Sequence, residues 1–182
     1  QAEQALRESE ALKALVLASA ACGIVATDPA GLITVFNPGA ETIFGYRADE
    51  VIGQVTPVIF HDPDEVAALA ETLSVALGIR VASGFDALVI RARISGEADE
   101  RETTCLRKDG RRITVRLAVT VMRDQQGVLG GYLGTVVDIS AQKLATAQLG
   151  LAAKVFEQGG EGIAITDGAC RIVMINQAFT RI

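Results

Sequence analysis

Residues 23–43 read GIVATDPAGLITVFNPGAETI, and residues 162–182 read GIAITDGACRIVMINQAFTRI. The two stretches align without a gap, Gly162 standing 139 residues after Gly23. Gly23/Gly162, Thr27/Thr166, Asp28/Asp167, Ile33/Ile172 and Asn37/Asn176 are identical pairs, and Val35/Met174 keeps apolar character. In each copy a short apolar strand runs into Thr-Asp, then a tight turn, then a second apolar strand ending on Asn, which predicts a β-hairpin. Asn37 and Asn176 stand where a helix begins, and Asn is a favourable N-cap. A period this long is not a solenoid repeat but a pair of tandem domains. The sequence ends at Ile182, inside that helix, so the second copy is expected to open a further domain of a longer protein, without the sheet its hairpin needs.

Between the copies the pattern changes period. Residues 38–52 predict short helices broken at Gly45 and Gly53. A longer helix is expected from His61 to Leu77, stopped by Gly78. Asp62, Pro63 and Glu65 fall at N-cap, N1 and N3, a sequence resembling a capping box. A further helix is expected over residues 85–93. From residue 100 the apolar positions alternate. Ile113, Val115, Leu117, Val119 and Val121 face one way and Thr114, Arg116 and Thr120 the other, a half-buried antiparallel strand. Lys108-Asp109-Gly110-Arg111 and Asp124-Gln125-Gln126-Gly127 are turns between strands over 100–107, 113–122 and 128–137. Two strands, helices, then three strands predict an α+β domain, one sheet with helices on one face.

Two helices flank this domain. Residues 1–20 are Ala-rich and lack Gly and Pro, with Ala5/Leu12 and Leu15/Cys22 seven apart. Residues 141–158 carry Leu144/Leu151 and Leu149/Phe156 seven apart, an apolar face fit to pair with another helix. The expected organisation is an N-terminal helix (1–20), a complete domain (21–140), a linker helix (141–160) and the start of a second domain (161–182).

Composition narrows the function. Hydrophobic residues make up 49% of the 182 and charged residues 21%, so a packed core is expected. Tryptophan is absent and aromatics are 4%, which makes that core mainly aliphatic. A net charge of −5 with no basic run argues against nucleic-acid binding. No apolar run approaches the roughly 18 residues of a membrane span, so no membrane contact is expected of this segment. Cys22, Cys105 and Cys170 lack metal or redox spacing and suit reduced thiols of a cytoplasmic protein.

These features together resemble the PAS domain family. The resemblance rests on GIVATDPAGLITVFNPGAETIFGYRADEVIG at the front, RKDGRRITV in the middle and GYLGTVVDIS at the end, with a second partial match over 155–182. It implies a five-stranded antiparallel sheet cradling a small pocket under the helices, and a sensory or dimerising role. Asp138, Ile139 and Ser140 look like the junction where such a sheet hands over to a signalling helix. The segment AKVFEQGGEGIAITDGACRIVMINQAFTRI is similar to PAS domains that precede GGDEF and EAL domains. Cyclic di-GMP turnover is therefore the first expected output, a histidine kinase the second, and a ligand-free interaction module the alternative.

The candidate pocket residues are His61, Cys105, Leu117 and Val119. His61, the one histidine, has a metal- or haem-ligand reading and a plainer one, the residue before a helix cap. The haem-binding members that sense oxygen carry their histidine inside the long helix, where residues 66–73 have none. Flavin photosensors of the family need a cysteine where residues 53–60 read GQVTPVIF. No cofactor is required, and neither haem nor FAD has motif support. Gly127, Gly130, Gly131 and Gly134 lie along a strand rather than at a helix start, which marks a bulge or a close approach by another backbone or a ligand, and not a phosphate loop. No catalytic group and no metal site is expected. A homodimer is expected through the flanking helices, with Leu12 and Leu15 as the contact of the first.

Overall fold

The computed structural model describes Leu15, Leu17 and residues 20–181, so Leu12 and most of the first expected helix lie outside the described residues. The chain divides into two compact units, Gln1–Ile139 and Ser140–Ile182.

In the first unit, strands β1 (Gly23–Thr27) and β2 (Ile33–Phe36) form the expected hairpin. Asp28 makes the turn. Its amide donates to Leu32 O, and its Oδ1 accepts from Leu32 N at 2.9 Å. Gly31 then adopts φ +94°, a conformation natural to glycine. Helix α1 (Pro38–Phe44) begins on Asn37 and ends on left-handed Gly45, and α2 (Ala48–Val51) follows. A short 3₁₀ turn, Pro57–Phe60, brings the chain to His61.

Helix α3 (Pro63–Leu77) has Asp62 as N-cap, its Oδ1 accepting from Asp64 N at 3.0 Å, and stops at Gly78. Glu65 differs from the capping-box expectation: it accepts from Arg112 Nη1 at 2.7 Å, and Arg112 also pairs with Asp62. An ion pair reaching across from a strand replaces the local reciprocal bond. Helix α4 (Phe85–Ser95) is two residues longer than the sequence predicts.

Strands β3 (Asp99–Leu106), β4 (Arg112–Arg123) and β5 (Leu129–Asp138) complete a five-stranded antiparallel sheet in the order β2-β1-β5-β4-β3. The last strand thus returns to the middle of the sheet, between β1 and β4. The alternation in β4 is obeyed: Ile113, Val115, Leu117 and Val119 face the core beneath α1, α3 and α4. Although the core is mainly aliphatic, three phenylalanines gather in it. Phe36, Phe44 and Phe60 stack, with the Phe44 and Phe60 ring centres 4.1 Å apart.

In the second unit, α5 (Ser140–Gln158) buries none of its residues. It is followed by the hairpin β6 (Ala164–Thr166) and β7 (Ile172–Ile175) and a 3₁₀ turn, Phe179–Arg181. Among the described residues no helix is long and apolar enough to cross a membrane.

Candidate functional site

The sheet and the helices over it enclose a cavity of about 50 Å³. One water needs roughly 10–15 Å³ by this measure, so the space admits water or a small group. Its floor comes from the middle of the sheet. Gly134 of β5 lies opposite Val25 on β1 and Val119 on β4, and Leu117 lies opposite Val136. Period-two alternation places these residues on the helix-covered face.

All four candidate pocket residues line this one cavity: His61, Cys105, Leu117 and Val119. His61 and Cys105 are 44 residues apart in sequence, yet the imidazole Nδ1 lies 4.0 Å from Cys105 Sγ. Burial, with the charge of Arg101 adding to it, pushes the His61 imidazole down to about 4. Burial likewise pushes the Cys105 thiol up to about 12, against the pull of Arg101. At neutral pH the pair is therefore a neutral imidazole beside a neutral thiol. A nucleophilic cysteine needs the thiolate, so this pair is not arranged for covalent catalysis. Arg101 is itself engaged, pairing with Asp99 and donating to Leu88 O at 3.2 Å.

Two further lining residues stand out: Thr27, which the sequence does not single out, and Gly134, one of the four glycines near β5. Thr27 is 3% exposed, and its Oγ1 is buried without a hydrogen-bond partner. A buried hydroxyl left unpaired costs about 1–3 kcal/mol. The signal in the sequence was a lone Thr closing the apolar strand GIVAT, in step with Val25. Gly134 is the second. A Cβ built there would sit 3.5 Å from Val25 O and 3.8 Å from Leu117 Cδ1, ordinary contact distances, so the glycine leaves open space at the cavity floor. Gly131 behaves differently. A Cβ there would fall 1.9 Å from Thr27 O, and φ is +144°, so this glycine permits the close approach of β5 to β1. Gly127 lies in the turn before β5, with φ +82°.

Sites for ligands of drug size enclose about 300–1,000 Å³, well above the space here. No cysteine lies in residues 53–60, and Cys105 holds its proton. Among the described residues no three His, Cys, Asp or Glu side chains are grouped to hold a metal ion.

A second constellation joins hairpin to helix. Asn37 is 2% exposed. Its Oδ1 accepts from Ile24 N at 2.7 Å and Ala40 N at 2.9 Å, while its Nδ2 donates to Leu17 O at 2.9 Å and Cys22 O at 3.0 Å. Asn176, 1% exposed, repeats all four bonds with every partner shifted by the repeat length. Its Oδ1 accepts from Ile163 N and Phe179 N, and its Nδ2 donates to Phe156 O and Glu161 O. Phe156 O lies in the last turn of α5, where carbonyls lack helical partners. The sequence reading took these residues as N-caps. The structure adds that each also ties the preceding segment to its hairpin.

The junction residues lie at the end of β5. Asp138 closes the strand, Ile139 is buried with its amide donating to Thr114 O at 2.9 Å, and Ser140 is the first residue of α5. Leu15 is 65% exposed.

Comparison with known proteins agrees with this geometry. Residues 21–141 match a family model described as PAS domain, and residues 151–182 match a second of the same description. Over 70 residues the chain is 39% identical to the signal transduction histidine-protein kinase AtoS of Escherichia coli K12, a match covering 38% of this chain and 12% of the kinase. The fold resembles a PAS domain from Colwellia psychrerythraea (22% identity, TM-score 0.54, covering 71% of this chain and 96% of that one). It also resembles the PAS domain of an HTR-like protein from Haloarcula marismortui (20%, 0.53, covering 75% and 97%). A third likeness is to an RNA-binding light-oxygen-voltage receptor (20%, 0.56, covering 80% and 37%).

Proposed function

The chain belongs to the PAS domain family, and from that membership we propose that it senses the content of its cavity and passes the state of β5 to α5. The observation that carries this reading is the double role of β5. Tyr132, Gly134 and Val136 line the cavity, and the same chain segment runs on through Asp138 to the start of α5 at Ser140. A change at the floor is thus carried along one strand to Asp138, Ile139 and Ser140, as a shift between pre-existing states of the junction.

The receiving element is suited to pairing. Ala141, Leu144, Gln148, Leu151 and Val155 recur at alternating spacings of three and four along α5, and all are exposed. That is an a/d seam, apolar except at Gln148, and a single polar position in such a seam fixes the register of the pair at some cost in stability. A second copy of the chain is its proposed partner, giving a homodimer through α5 and, at Leu15 and Leu12, through the N-terminal segment. The domain organisation follows: a sensory domain over 21–140, a linker helix, and the start of a second PAS domain over 161–182 that the match at residues 151–182 supports.

The chain is regulatory, and its output belongs to another domain of a longer, cytoplasmic protein. A histidine kinase output has the support of the match to AtoS. Cyclic di-GMP turnover, first in order from sequence, gains no support from the comparisons. Sedimentation of the wild type and of Leu144→Glu with Leu151→Glu tests the pairing. A dimer that becomes a monomer is expected. Equal masses for both proteins contradict pairing through α5 and leave the ligand-free interaction module, held together through its sheet face or N-terminal helix.

A further inference from the structure

We propose that Asn176 is a latch through which α5 drives the second domain. Its side-chain amide fastens the last turn of α5 to the hairpin β6–β7, so a change in the helix reaches that hairpin through hydrogen bonds rather than along the chain. This rests on the sensory reading and carries it one step past α5.

Three observations support it. The first is burial. Among the described residues of the second unit, Asn176 is the one buried residue, and it is polar. Apolar packing therefore does little to hold α5 to the hairpin. An asparagine side chain offers two donor hydrogens and an oxygen with two lone pairs, and all four are used. Nδ2 donates to Phe156 O at 2.9 Å and Glu161 O at 2.8 Å. Oδ1 accepts from Ile163 N at 2.8 Å and Phe179 N at 3.1 Å. The donor half thus holds the helix end, and the acceptor half holds the hairpin.

The second is the covalent link. Between Gln158, which ends α5, and Ala164, which opens β6, run Gly159, Gly160, Glu161, Gly162 and Ile163. Glycine-rich chain is flexible, so this link transmits little tilt or rotation by itself. The bond from Asn176 Nδ2 to Phe156 O bypasses it. Phe156 directly follows Val155, the last position of the α5 seam.

The third is repetition. Asn37 makes the same four bonds across the same sequence separations of 20, 15, 13 and 3 residues. Its partner Leu17 is helical, as Phe156 is. The sequence repeat also extends upstream of the hairpins, with Leu12/Leu151 and Val16/Val155 identical. The repeating unit is therefore a hairpin together with the helix end fastened to it.

Asn176→Asp separates a latch from a plain cap. A carboxylate keeps both acceptor bonds and caps as well as asparagine, but it donates to neither Phe156 O nor Glu161 O. Amide exchange of the full chain is followed by NMR. Exchange is expected to quicken about tenfold at Gly159, whose amide closes the last turn of α5 on Val155 O at 3.0 Å. Ile163 and Phe179 are expected to keep wild-type rates within about twofold. Unchanged exchange at Gly159, or equal acceleration at all three amides, would overturn the latch. Gly134→Ala then tests the relay. It is expected to shift amide resonances in both α5 and β6–β7, and in α5 alone when combined with Asn176→Asp. Hairpin shifts that survive Asn176→Asp would also overturn the proposal. Absence of any shift in α5 would instead defeat the sensory reading, and the latch is then judged by the exchange contrast alone.

Discussion

The two copies share a local code and differ in what covers it. In both, an Asp carboxylate closes the hairpin turn: Asp28 Oδ1 takes Leu32 N, and Asp167 Oδ1 takes Arg171 N at 3.0 Å. In both, the strand register slips at the same step, Ala26/Thr27 and Ile165/Thr166. In both, an Asn ties four backbone groups together. Yet Ile33 is 0% exposed and its counterpart Ile172 is 62% exposed. Short-range polar chemistry is enough to specify the hairpin, while burial comes from the further strands and the helices packed around the first copy. An isolated hairpin is marginal in water, so the same hydrogen bonds are worth more where the core holds them.

The largest expected contrast is at the paired asparagines. Asn37→Ala removes its side-chain bonds in a packed setting and is expected to lower the unfolding free energy of the first domain by about 3 kcal/mol. Asn176→Ala is expected to leave that transition unchanged within about 0.5 kcal/mol and to act on the second unit, seen as faster amide exchange at Ile163 and Phe179. Equal losses from both changes would erase the distinction between the copies.

The next concerns the residue at the turn's positive φ. Gly31 holds that place in the first copy and Cys170 in the second, at φ +59°. Cys170→Gly is expected to stabilise the second hairpin by about 1 kcal/mol. Gly31→Cys is expected to cost at least about 2 kcal/mol, because its Cβ would meet the Phe85 ring at 2.5 Å. Chemical denaturation read at the two units separately compares them.

The one histidine of the chain gives the first unit a pH effect. The His61 pKa is depressed from 6.5 to about 4 in the folded state, so the unfolded chain takes up a proton first as pH falls. Stability is fully present above pH 6.5 and is expected to fall by about 1.4 kcal/mol per pH unit between about 6.5 and 5. His61→Asn is expected to flatten that slope, as measured by urea unfolding at several pH values. A wild-type slope unchanged by the substitution would refute the assignment. The smallest effect is chemical. Exposed Cys170 is expected to react with iodoacetamide within minutes, and Cys105 only on unfolding, since its thiol is buried and held protonated. Mass-mapped labelling measures both.

The sequence made the repeat, both hairpins, the cap at Asp62, the stop at Gly78 and the alternation of β4 legible, because each is written in neighbouring residues. What it left hidden depends on distant partners. Glu65 satisfied a local capping pattern but is drawn to Arg112, 47 residues away. The meeting of His61 and Cys105 follows from sheet order, not from spacing. Thr27 gained its interest only when its neighbours were seen to offer no bond. The four glycines near β5 looked alike in sequence, and only their surroundings separate Gly131, pressed against Thr27 O, from Gly134, which leaves space.

The account depends on β5 carrying the cavity's state into α5. Pulsed EPR distances between spin labels on Ala153→Cys, an exposed α5 position off the Leu144–Leu151 seam, test it in a background with the three native cysteines replaced by serine. The account predicts a defined distance between copies that shifts when Gly134→Ala fills the cavity floor. An identical distance distribution with and without that methyl group would contradict it.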